Sequence, residues 1–202
     1  MVFVGRNYVE HAREMGNDVP KQPMLFLKPV SSIIRDGDSI VLHVVSSHIE
    51  QEGEIGLVLG GRLHKANEAE AIAVLSHVVA INDVSARDLQ KSDGQWARAK
   101  GMDTFCPIGT PAPAPTDLTT LSIVTTVHGV ECQRAKSTDM VFSIPMLLAY
   151  ISQYITLEAG DIVATGTPAG TKKLEPGDVV TVELFGATGL LSRVSNPVVA
   201  GT

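Results

Sequence analysis

The apolar positions of this chain fall mostly into short β-prone runs separated by Gly-Asp, Pro and polar breaks, and only three segments have the length and pattern of helices. That pattern predicts strands over residues 54–59, 78–81, 121–128 and 179–185. It predicts helices over residues 8–15, 67–75 and 143–155, the last with Ser143 as a cap, Pro145 in its first turn and Gly160-Asp161 as its end. A Gly-Asp turn recurs directly before a β-branched run at Gly37-Asp38, Gly160-Asp161 and Gly177-Asp178, so each is read as a strand entrance. Pro107, Pro111, Pro113 and Pro115 mark a stiff connection inside the domain. Strands dominate and helices decorate. Residues 1–202 therefore read as one domain of the α+β class, β-rich, a mixed β-sheet roll or barrel with peripheral helices.

Two breaks in the pattern carry acids. Glu52 and Glu54 flank Gly53 at the entrance of an apolar run, and residues two apart on a strand project from one face. Two carboxylates that close resist joint ionisation unless a cation neutralises them, which points to a hard, oxygen-loving metal; the alternative is a solvated strand edge. Asp83 stands where the apolar run 78–81 stops, placed either to cap a helix or to add a third oxygen ligand. His48 and Glu50 would share the face of Glu52 and Glu54 in a continuous strand, so the ligand pair could lie one pleat away.

Composition narrows the classes. With 44% hydrophobic and 19% charged residues over 202 positions the chain can bury a substantial core. A net charge of −6 with scattered Lys and Arg argues against nucleic acid as partner. Cys106 and Cys132 form no metal-knuckle or disulfide pattern, in keeping with a reducing, cytoplasmic location. The most apolar stretch, residues 140–157, is interrupted by Ser, Pro and Gln and reads as a buried helix, so no membrane span is expected. No secretion signal precedes the first motif, and only three residues stand ahead of Val4, as in a chain trimmed at its N-terminus.

Several ordered motifs carry a family resemblance. They are Val4-Gly5-Arg6-Asn7-Tyr8 with His11 and Glu14, Leu25-Phe26-Leu27-Lys28-Pro29, Glu52-x-Glu54, and Asp83 followed by Arg87-Asp88-x-Gln90. Lys100 and the run from Gly160-Asp161-Ile162 through Thr165-Gly166-Thr167-Pro168 to Gly170 complete the set. Together they resemble the fumarylacetoacetate hydrolase family, most closely its short acylpyruvase and oxaloacetate decarboxylase branch. Gln51 departs from the pattern, standing where relatives more often have His or Tyr.

The resemblance implies the fold of that hydrolase's C-terminal domain, a homodimer, and a site in which Glu52, Glu54 and Asp83 hold Mg²⁺ or Mn²⁺. Three carboxylates leave about three octahedral positions for water or a chelating α-keto acid, and the ion acts as a Lewis acid on a developing enolate. His11 and Glu14, on one helical face, would activate water, with Gly16, Asn17 and Asp18 as hinge of a lid; the alternative is a surface ion pair. Lys100 would stabilise developing charge and Gln90 would orient water, while Arg87 would either grip substrate or brace the ligands. Thr167 would receive a carboxylate in a glycine-shaped loop, or serve only as a turn, and Arg6, Tyr8 and Lys28 would line the pocket. The implied activity is metal-dependent C–C hydrolysis of an acylpyruvate, with oxaloacetate decarboxylation or keto-enol tautomerisation as the alternative and an inactive metal-binding scaffold as the contrasting class.

Overall fold

The computed structural model describes residues 1–16 and 18–201; Asn17, one of the three expected hinge residues, and Thr202 lie outside the described residues. In chain order the strands are β1 (Val2–Gly5), β2 (Met24–Leu27), β3 (Ile33–Ile34), β4 (Ile40–Leu42), β5 (Ile49–Glu50), β6 (Gly53–Leu59), β7 (Leu75–Asn82) and β8 (Ser85–Ala86). They continue as β9 (Cys106–Pro107), β10 (Ala112–Pro113), β11 (Ser122–Val127), β12 (Val130–Lys136), β13 (Ile162–Ala164), β14 (Val179–Gly186) and β15 (Gly189–Ala200). The helices are α1 (Val9–Glu14), α2 (Glu68–Ala73), α3 (Arg87–Ser92), α4 (Ala97–Lys100) and α5 (Ile144–Ser152). The class is mixed α+β and strand-rich, as expected, but the strands do not close a barrel. They form an open six-stranded sheet, β10-β7-β6-β13-β1-β2, and an open five-stranded sheet, β12-β11-β14-β15-β4.

The three Gly-Asp turns do open strands, β4, β13 and β14. In each the glycine adopts a left-handed φ, +86° at Gly37, +89° at Gly160 and +96° at Gly177, which a side chain would resist. Each aspartate then accepts the N–H of the residue three before it: Asp38 from Arg35, Asp161 from Glu158 and Asp178 from Glu175, all at 2.8 Å. Helix α2 begins with a reciprocal cap, Asn67 accepting from Glu70 N–H and Glu70 from Asn67 N–H. Ser143 stands at the N-terminus of α5 with Pro145 in the first turn, yet its side chain makes no capping bond. That helix ends at Ser152, short of the expected 155. The proline-rich stretch holds β9 and β10, and β10 sits at a sheet edge where the missing N–H of Pro113 costs no ladder bond.

Antiparallel pairing of β6 with β7 from Gly53↔Asn82 to Leu59↔Leu75 sets Glu52 beside Asp83, whose N–H donates to the Glu52 carbonyl at 2.8 Å. Strand β13 pairs on the other side of β6 only as far as Ala164↔Gly56, so residues 165–170 leave the sheet along Glu54 and Gly53. The apolar core runs from Val2 to Val198 and packs the inner faces of both sheets with α2 and α5. Asp83 caps no helix, because β8 intervenes and the residue that precedes α3 is Ala86. Gln51 and Glu52 also lie outside regular strand, between β5, which pairs with β8, and β6, which pairs with β7, so His48 through Glu54 are not one continuous strand. Gln51 is drawn aside by the Lys172 N–H and by the Cys132 sulfur.

Candidate active site

Glu52, Glu54 and Asp83 converge, each offering an oxygen within 4.8 Å of the others, and all three are buried. Three cations surround them. Lys100, delivered by α4, places Nζ 2.6 Å from Glu52 Oε2 and 2.6 Å from Asp83 Oδ2. Lys28 donates to Asp83 Oδ1 and to the Phe105 carbonyl, each at 2.6 Å. Arg87, at the start of α3, bonds Glu52 through Nη1 and Glu50 through Nε at 2.7 Å.

The electrostatics differ among the three carboxylates. Burial would raise Glu52, but Arg87 and Lys100 outweigh it and hold that carboxyl below the ordinary range. Among the described residues Glu54 has only the Gly166 N–H, at 2.8 Å, as hydrogen-bond partner. Its own burial, together with Asp83 and Glu52, pushes its pKa well above the ordinary value. Burial disfavours the charge of Lys100 too, yet Asp83 and Glu52 more than restore it and raise its pKa. A fixed ammonium therefore stands at the floor of the site.

Above this floor opens a cavity of about 500 Å³ lined by His11, Glu52, Glu54, Arg87, Gln90, Lys100 and Thr167, with Arg6 also on the wall. His11 is buried on α1, with Nε2 4.0 Å from Glu52 Oε1 and Nδ1 3.2 Å from Glu14 Oε2. Glu14 in turn accepts the Gly170 N–H, at 3.1 Å to Oε1. A carboxylate can only accept, so it fixes the Nδ1–H tautomer and leaves Nε2 toward the cavity. The pair is half-buried, His11 inside and Glu14 at the surface. Arg87 braces Glu50, Glu52 and Gln90, its Nη1 reaching Gln90 Oε1 at 2.9 Å, while its buried Nη2 has no hydrogen-bond partner among the described residues. Arg6 lines the cavity from a left-handed backbone, φ +58°, a strained conformation for a non-glycine residue.

Two expectations are corrected. Lys28 is not on the cavity wall but lies behind Asp83, because its side chain is committed to that carboxylate and to Phe105. Tyr8 is likewise off the wall and buried, its hydroxyl without a partner among the described residues and its pKa raised by burial and by Glu54. Glu50 belongs to the Arg87 brace and not to the triad, which removes the doubt about the pleat. The sequence reading missed an aromatic wall in which Phe26 and Trp96 meet edge-on with centroids 5.3 Å apart. Trp96, the one tryptophan in the chain, lies four residues before Lys100, and that proximity was the available signal. It also missed Gln133, which no local motif marks.

The donor set fits a hard divalent cation. Three carboxylate oxygens converge with no sulfur or imidazole among them, and Glu54 is the carboxylate left short of a cation. Glu52, Glu54 and Asp83 would hold such an ion at the cavity floor.

The comparisons with known proteins agree with one another. The fumarylacetoacetate (FAA) hydrolase C-terminal family model matches residues 1–199. The chain is 38% identical over 205 residues to a Caenorhabditis elegans protein named mitochondrial oxaloacetate tautomerase, covering 97% of this chain and 93% of the relative. It is 38% identical over 197 residues to a Dictyostelium discoideum protein named mitochondrial oxaloacetate decarboxylase, covering 94% and 89%. A solved structure described as 5-carboxymethyl-2-hydroxymuconate delta-isomerase, from Mycobacterium smegmatis, superposes with a TM-score of 0.90 at 37% identity, covering 100% of this chain and 78% of that one. Among the described residues no helix is long and apolar enough to cross a membrane.

Proposed function

Because the chain belongs to the fumarylacetoacetate hydrolase family, we propose that it is a divalent-metal-dependent enzyme that interconverts the keto and enol forms of a small α-keto acid of the oxaloacetate type, with decarboxylation of the same substrate as a companion reaction. The observation that supports this most directly is Lys100, an ammonium 2.6 Å from both Glu52 and Asp83 at the cavity floor, fixed where negative charge develops on an enolate oxygen. Mg²⁺ or Mn²⁺ held by Glu52, Glu54 and Asp83 supplies Lewis-acid stabilisation of that same charge.

This chain's own residues divide the remaining work. His11 Nε2, its tautomer set by Glu14, takes and returns the proton that tautomerisation moves between carbon and oxygen. Arg87, on the cavity wall, faces a substrate carboxylate, and Gln90, bonded to the same guanidinium, orients the acid or a water beside it. Arg6 and the Phe26–Trp96 wall shape the mouth. A homodimer remains the expected assembly.

The His11–Glu14 dyad also supports a second reading, hydrolysis of an acylpyruvate, because the same imidazole can deprotonate a water. One variant separates the demands. Glu14→Gln should slow tautomerisation of oxaloacetate and hydrolysis of acetylpyruvate by on the order of 10²-fold, the usual worth of general-base catalysis, while decarboxylation, which needs charge stabilisation and no base, falls less. Equal losses in all three reactions with unchanged Mg²⁺ affinity would reduce the dyad to a device for closing the site.

A further inference from the structure

Beyond the Thr165 N–H bond to the Ile55 carbonyl the β13–β6 ladder gives way to side-chain contacts, and one residue from the opposite sheet completes them. Gln133, on β12, is buried to 1% exposure. Its Oε1 accepts the Gly53 N–H at 2.9 Å, and its Nε2 donates to Thr167 Oγ1 at 2.8 Å and to the Pro168 carbonyl at 2.7 Å. The Thr167 hydroxyl donates in turn to the Gly53 carbonyl at 2.9 Å. The ring is closed. Both polar groups of the Gly53 peptide, lying between two metal-ligand candidates, are satisfied by Gln133 and Thr167 in place of a neighbouring strand. Gly53 N–H can only donate and Pro168 O can only accept, so the orientation of the carboxamide is unambiguous.

The surroundings show how Gln133 reaches this point. Strands β11 and β12 pair Thr125↔Gln133 but Thr126↔Glu131, leaving Cys132 as the extra residue of a bulge, a device that re-aims neighbouring side chains. On the opposite side there is no space for a substitute: a Cβ at Gly53 would stand 1.9 Å from Thr125 Oγ1, and one at Gly170 would stand 1.9 Å from the Cys132 carbonyl. Strand β11 thus presses directly against the Glu-Gly-Glu segment, and the bulged β12 against the 166–170 loop.

We propose that Gln133 is a positioning residue that locks the Glu52-Gly53-Glu54 segment to the Thr167 loop, so that both carboxylates are aimed at one cation before it binds. The inference rests on the metal reading above. It assigns the Thr167 hydroxyl a first duty different from receiving a substrate carboxylate, because its one proton is directed to Gly53 O. A slip of one residue in β6 would turn Glu52 and Glu54 away from Asp83, and the ring opposes that slip at its most exposed point, the end of the ladder.

Mn²⁺ titration of the protein without substrate, by calorimetry, tests this. Gln133→Met and Thr167→Val should each weaken Mn²⁺ binding by about 10- to 100-fold, the range for residues that orient ligands. The double variant should lose little more than either single one, because both break the same ring. Thr167→Ser, which keeps the hydroxyl, should restore affinity. Folded Gln133→Met or Thr167→Val protein that binds Mn²⁺ like the wild type would overturn the proposal and leave the metal reading intact. Wild-type protein that binds no Mn²⁺ would overturn both. Should Gln133→Met fail to fold, the Thr167→Val and Thr167→Ser pair decides alone, since affinity measured on folded protein does not move for a merely structural hydroxyl.

Discussion

Glu54→Ala should abolish divalent-ion binding and turnover while the protein stays folded. The carboxylate is buried and meets Glu52 and Asp83 without a close cation of its own, so its ionised form is disfavoured until an ion arrives. Removing it deletes one of three anionic ligands. At an effective interior dielectric near 20, a single pair of unit charges 4 Å apart is worth on the order of 4 kcal/mol, and a divalent ion in direct contact gains more. Affinity for Mg²⁺ should therefore fall by roughly 10³-fold or more. The metal-free variant should unfold at a temperature close to that of the wild type, since loss of the Gly166 contact is offset by removal of a carboxyl that is costly to bury. Asp83→Ala should lose the ion equally but be much less stable, because Lys28 and Lys100 would each lose a buried partner, a change that typically costs about 3–5 kcal/mol. Calorimetric titration together with thermal unfolding checks both variants.

Lys100→Met should behave in the opposite way toward the ion. Removing a cation that lies 2.6 Å from two of the three ligands takes away repulsion toward Mg²⁺, so metal affinity should hold or rise. Turnover should nevertheless drop by about 10²- to 10³-fold, as when one preorganised donor to a developing oxyanion is lost. Without metal the variant leaves Glu52 and Asp83 undercompensated and should be destabilised; added Mg²⁺ should raise its melting temperature by more than it does for the wild type. Steady-state kinetics, calorimetry and a melting series with and without Mg²⁺ read these three signs independently.

Much of the site could be read along the chain because strand alternation is local information. Glu52 and Glu54 flank one glycine, Asp83 ends the apolar run that pairs with theirs, and the antiparallel register of β6 and β7 then brings the three together. His11 and Glu14 meet through helix spacing alone. The failures involve contacts that spacing does not encode. Gln133 lies 80 residues from Gly53 and reaches it through a bulge. Lys28 sits in a motif that points toward the pocket, but its ammonium is taken by Asp83 and Phe105. Strand β15 was not anticipated because its inner positions include the buried polar residues Ser192 and Asn196, which mask the alternation of its apolar side. Ser192 donates to the Thr110 carbonyl and Asn196 to the Arg35 and Asp38 carbonyls, so they are inside as hydrogen-bonding partners of turns and not as core. Of the roll and the barrel that the strand pattern allowed, the closed barrel is not formed, for a topological reason: β10 and β2 end the larger sheet without meeting.

The proposed chemistry is tested most directly by following the enol form of oxaloacetate spectroscopically as it converts to the keto form, with the protein loaded with Mg²⁺ and again after the ion is chelated. Conversion far faster than in buffer, lost on chelation and restored by adding Mg²⁺ back, is the expected result. Protein that binds Mg²⁺ by calorimetry yet converts the enol no faster than buffer would contradict it.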